Sequence, residues 1–153
     1  MKVAGFVFLP FLLLLFSCED NATTSNDETK STINILNLSP ETQSIVTSQD
    51  TIKALLEYSI GKDVTSEFGF LIAILFVSTT EGKTFSVGPN NQIELVDRDG
   101  EVTLEYPLES IWNNIELKHP ITCYFYLEKI TAETPLGRSS VVIAKTEAIN
   151  YME

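Results

Sequence analysis

From Ile33 onward, apolar and polar residues alternate along this chain with a period of two far more often than with the period of a helix. In Thr51–Ile60 the alternation sets Ile52, Ala54, Leu56, Tyr58 and Ile60 on one face. In Glu101–Tyr106 it turns Val102, Leu104 and Tyr106 inward and Glu101, Thr103 and Glu105 outward. Ile121–Leu127 and Ser140–Ile149 are rich in the β-branched and aromatic residues that suit a pleated surface, and Lys83–Val87 and Gln92–Val96 are shorter strand candidates. Turn residues punctuate these runs at Ser39-Pro40, Glu81-Gly82, Gly88-Pro89-Asn90-Asn91, Asp99-Gly100 and Thr134-Pro135-Leu136-Gly137. About seven short strands at such intervals predict an all-β antiparallel sandwich. The exception is Leu108–Ile115, where Leu108, Ile111, Trp112 and Ile115 are spaced for one face of a short helical turn, with Trp112 plugging one end of the core.

One strand breaks the alternation. Gly69–Val77 is apolar on both faces: Phe70, Ile72, Ile74 and Phe76 fill the core, which leaves Leu71, Ala73, Leu75 and Val77 pointing outward. Either another segment, such as residues 33–46, folds over them, or they form an apolar patch meant for a partner. In the second case Leu71, Leu75 and Val77 are candidate partner-binding residues. Tyr126, joined by Tyr124 if that ring faces out, would add an aromatic platform of the kind on which sugars stack.

The first 32 residues follow other rules. Lys2 precedes an uncharged run, Val3–Phe16, of the length of a secretory signal and too short for a bilayer span, which needs about 20 residues. Leu15-Phe16-Ser17-Cys18 then resembles the lipobox of bacterial lipoproteins, in the looser form found in Bacteroidota. That resemblance implies cleavage after Ser17 and lipidation of Cys18. The other outcome is ordinary signal cleavage near Ser17, with Cys18 a free thiol. Two or three acyl chains hold a protein firmly at a membrane, whereas one holds it only reversibly. Glu19 and Asp20 resemble the acidic surface-export signals of the same group, which implies the outer face of the outer membrane, with the periplasmic face as the alternative. Residues 19–32 have no aliphatic side chain beyond Ala22 and read as a tether holding the domain about 20 Å from the anchor. The expected organisation is therefore a signal peptide over 1–17, lipidated Cys18 and an acidic tether over 18–32, and a sandwich over 33–153. Asp50-Thr51-Ile52 resembles the O-glycosylation pattern of Bacteroidota exported proteins, making Thr51 a candidate site. Asn21 and Asn37 match the N-glycosylation pattern, but a bacterial reading makes both matches chance.

Pro120-Ile121-Thr122-Cys123-Tyr124 resembles the start of the sixth strand of fibronectin type III domains, where the tyrosine bonds to backbone at a corner. The resemblance implies an immunoglobulin-like sandwich with Tyr124 as the corner tyrosine. The phase departs from that family: Cys123, Phe125 and Leu127 form the more apolar face, while the tyrosine's own phase continues to Tyr126 and Glu128.

Composition narrows the function classes. The net charge is −11, and without Lys2 the chain keeps 9 basic against 21 acidic residues, or −12. The basic residues are scattered singly, which excludes a nucleic-acid partner, since neutralising phosphates requires clustered Lys and Arg. His119 is the only histidine and sits before Pro120 with no nucleophile motif in the chain, so it reads as a surface residue. Cys123 lies in an apolar run and reads as a small buried hydrophobe. One histidine and one spare thiol cannot supply a zinc site, and no Gly-rich phosphate loop is present, so no cofactor is expected. Asp97-Arg98-Asp99-Gly100-Glu101 has too few acids before its glycine for a calcium loop and reads as an Asp-Gly hairpin. The leading expectation is a non-catalytic, lipid-anchored envelope module that binds protein or glycan at the cell surface. The alternative is a structural envelope component that packs with itself or its neighbours.

Overall fold

A computed structural model describes residues 29–135 and 137–153. Nine strands follow in order: β1 (Thr32–Ser39), β2 (Thr51–Ser59), β3 (Phe70–Val77), β4 (Thr84–Phe85), β5 (Gln92–Leu95), β6 (Asp99–Pro107), β7 (Ile121–Thr134), β8 (Gly137–Lys145) and β9 (Ile149–Tyr151). β1, β2 and β6 form a three-stranded sheet in the order β1-β2-β6. The other six form a second sheet, in which β4-β3-β7-β8 is the main path, β5 also pairs β3, and β9 also pairs β7. Every strand pairing is antiparallel. Side chains from both sheets meet in one core, so the fold is an antiparallel β-sandwich.

The alternation read from the sequence places the core. Ile52, Ala54 and Leu56 are fully buried, with Tyr58 and Ile60 nearly so, and the intervening Thr51, Lys53, Glu57 and Ser59 face water. From the opposing sheet come Ile72, Ile74 and Phe76 of β3 and Ile121, Cys123, Phe125 and Leu127 of β7. Each such aliphatic or aromatic side chain contributes about 1.5–3 kcal/mol by leaving water. The strands number nine rather than about seven because the last predicted run is split and because β1, over Thr32–Ser39, is a strand that the predicted runs did not include. β8 stops at Lys145, Thr146 turns its hydroxyl to the backbone N–H of Phe125 (3.1 Å), and β9 resumes on the other half of β7.

Three expectations are corrected. Asp99-Gly100 is not a hairpin turn: β5 belongs to the second sheet and β6 to the first, so the chain crosses between sheets over Val96–Arg98, and Asp99 and Gly100 already pair with Ser59 and Tyr58. The piece after β6 is a single 3-10 turn over Leu108–Ser110. Leu108 and Ile111 are fully buried and Trp112 packs against the core, but Ile115 is 92% exposed, because the helix does not continue far enough to bring it round. Finally, residues 33–46 do not cover β3. β1 lies in the other sheet, and the segment after it runs to the C-terminal end, where Val46 takes a backbone bond from its N–H to the Met152 carbonyl (2.9 Å).

Candidate functional site

The outward side of β3 is split in two. Leu71 and Ala73 are buried (3% and 7% exposed) beneath Ile130 of β7, with Leu75 at the margin of the cluster. Ile130 stands on their face because it lies two residues beyond Glu128, the partner of Leu71; just past it Thr131 is an extra residue in the β7–β8 ladder, Ile143 is another, and each such bulge bends the hairpin and adds twist. The loop before β3 holds Ile130 in place: its N–H donates to the Gly69 carbonyl (3.1 Å), and its carbonyl accepts from Ser66 Oγ (2.6 Å). The hairpin tip is tied down as well. Arg138 of β8 bonds to Glu133 across the ladder (2.5 Å) and also to Glu94 of β5, on the far side of β3. These bonds curl the β7–β8 arm over the first half of the apolar strip. Leu71, predicted to be an exposed partner-binding residue, is therefore part of a small second core.

The other half stays open. Leu75, Val77, Tyr124 and Tyr126 are all half-buried on one outward face. The two tyrosine rings lie 5.8 Å apart at 60°, and Lys145 Nζ sits 5.0 Å above the Tyr124 ring. Thr84 of β4 is exposed, in the strand that pairs β3 at Phe76 and Val77. Burial raises the Tyr126 pKa, as do Tyr124 and Glu128, so the phenol remains a neutral donor through the physiological range. At one end of the strip Thr122 donates its hydroxyl to Asn150 of β9 (2.9 Å). The result is an aromatic and aliphatic centre bordered by hydroxyl, amide and ammonium groups.

Tyr124 thus faces outward, in phase with Tyr126, and not into a corner. The buried tyrosines that bond backbone are Tyr106, whose hydroxyl donates to the Val87 carbonyl (2.7 Å), Tyr151, which donates to Pro40 (3.0 Å), and Tyr58, which donates to Asp97 (3.3 Å).

The remaining candidates are dispersed. Thr51 is exposed at the first position of β2, open to modification. His119 pairs with Glu153 (3.1 Å) and stands edge-on to Trp112 at 6.4 Å. Among the described residues no group of three or more His, Cys, Asp or Glu is placed to hold a metal, and no helix is long and apolar enough to cross a membrane. Cys18 and residues 19–28 lie outside the described residues. Arg98 has a role that its position between two aspartates concealed. Its guanidinium donates to the carbonyls of Gly61 (2.6 Å) and Val64 (3.0 Å) and lies 5.9 Å from the Phe70 ring centre, strapping the loop after β2 to the sandwich. Comparison of the chain with protein families, with curated proteins and with solved structures finds no match.

Proposed function

We propose that this chain is a non-catalytic, lipid-anchored module of the bacterial cell envelope that binds a glycan or protein partner through the outward face of its larger sheet. The observation that carries this reading is the change of cover along β3: Ile130 closes Leu71 and Ala73, and the apolar strip then continues only half-buried through Leu75 and Val77 beside Tyr124 and Tyr126. Tyrosine rings supply rigid apolar area together with a polar handle, and they are enriched where proteins meet ligands. Thr84, Thr122 and Asn150 border them with the neutral hydrogen-bonding groups that suit sugar hydroxyls. A neutral glycan fits better than an anionic one, since a chain of net charge −11 repels polyanions.

Cys18, in its lipobox-like setting, is the proposed attachment point to the outer membrane. Affinity electrophoresis of the chain through neutral surface polysaccharides tests the binding face. Retardation that is lost in Tyr124→Ala and Tyr126→Ala, with unchanged circular dichroism, is the expected result. Equal mobility of wild type and both variants across a panel of glycans and envelope proteins would remove this reading.

A further inference from the structure

The four outer edges of the sandwich are guarded very differently. On one side lie β6, which carries Asp99, Glu101 and Glu105, and the short β4 and β5, of two and four residues. Charges and short strands of this kind are how proteins prevent edge-to-edge pairing. On the other side lie β1, "TINILNLS", with no charge at all, and β8, "GRSSVVIAK", with one base near each end and no acid. No strand among the described residues pairs with the free edge of either one. β1 is blunted by its bulge, which leaves Leu36 unpaired. β8 is barer: Val141 and Val142 are 55% and 46% exposed in the middle of an uncharged run from Ser139 to Ala144.

We infer that the free edge of β8 is a self-association site, where β8 of a second copy of this chain pairs antiparallel to it and joins the two larger sheets into one. Charge selects this occupant and this edge. Two copies of net charge −11 repel wherever acids meet; β8 contributes no acid of its own, and the carboxylates that reach it are already engaged, Glu128 by Ser140 and Glu94 and Glu133 by Arg138. An antiparallel pair of identical strands is also self-complementary about a two-fold axis, so it closes as a dimer. Val141 and Val142 lie near the centre of such a pair, where β-branched side chains make favourable cross-strand contacts. This inference does not depend on the tyrosine face, which stands on the surface of the sheet and not at its edge.

Cysteine scanning of the full chain, expressed in cells and oxidised in place, tests it. The parent chain, which carries Cys18 and the fully buried Cys123, serves as the blank. Cysteines introduced one at a time from Ser139 to Ala144 should form disulfide-linked dimers, with a maximum at positions 140–142 at least tenfold above Glu101→Cys on the opposite edge. In sedimentation, the wild-type dimer should increase with salt, as screening relieves the repulsion, and Val142→Lys should shift it to monomer by tenfold or more. Cross-linking at β8 no stronger than at Glu101→Cys, a monomer at every salt concentration, or a dimer indifferent to Val142→Lys would each overturn the inference.

Discussion

At the scale of single residues, the buried hydroxyls of Tyr106 and Tyr151 matter more than any titratable group on the surface. Tyr106 is fully buried, packs its ring 5.2 Å from that of Phe76, and satisfies its hydroxyl on the Val87 carbonyl. Replacing it with Phe removes that bond, leaves the carbonyl unpaired, and should cost about 1 kcal/mol in chemical denaturation at pH 7. Burial also pushes the Tyr106 pKa up from 10 to about 12. The folded state therefore keeps a proton that the unfolded chain gives up first. Stability from this group is complete below pH 10 and falls as the pH rises from 10 to 12. Denaturation midpoints measured across that range should decline less steeply in Tyr106→Phe than in the wild type. Cys123 is fully buried and its thiol pKa is pushed upward, so it should resist alkylation until the protein unfolds.

At the scale of elements, the β7–β8 arm decides what the doubly apolar β3 becomes. Leu71 and Leu75 occupy the same outward face four residues apart, yet the arm covers one and only borders the other. Leu71→Ala should therefore behave as a core truncation, costing about 2–4 kcal/mol, while Leu75→Ala should cost roughly 1 kcal/mol or less. Equal losses in urea melts would mean that Ile130 does not seal Leu71. Arg138 is the clasp for the arm, and its two glutamates hold its pKa above the usual value. In Arg138→Ala, hydrogen exchange at the tip of the arm should accelerate while the β2 and β3 amides keep their protection. The arm was not legible in the sequence. "Thr134-Pro135-Leu136-Gly137" marks a turn, but nothing local says that the strands leading to it outrun the sheet and curl back. Two bulged positions and an ion pair between residues 44 apart in sequence produce that curl.

At the scale of the whole molecule, charge and edges set what the domain can meet. Its net charge of −11 opposes phosphate-rich surfaces, and the unequal guarding of its edges is what the proposed self-association rests on. The proposed lipid anchor belongs to this scale too, because confinement to a membrane would raise the local concentration of copies. Metabolic labelling with radioactive palmitate should mark the wild-type chain and not Cys18→Ala, which should move to a soluble fraction. Labelling that survives the substitution would detach the lipobox-like reading from Cys18.

The sequence by itself determined the all-β class, the inward faces of β2, β3, β6 and β7, and the burial of Cys123, because a period of two against a single core leaves each side chain only one of two directions. It also carried the candidate anchor, which is a local motif. Only the tertiary structure decided that Leu71 is core and Leu75 is surface, that Tyr124 looks outward, that Arg98 straps a loop, and that Asp99-Gly100 crosses between sheets. Those outcomes depend on which distant segment arrives alongside, and the pattern of a strand records its own faces but not the neighbour that will cover them.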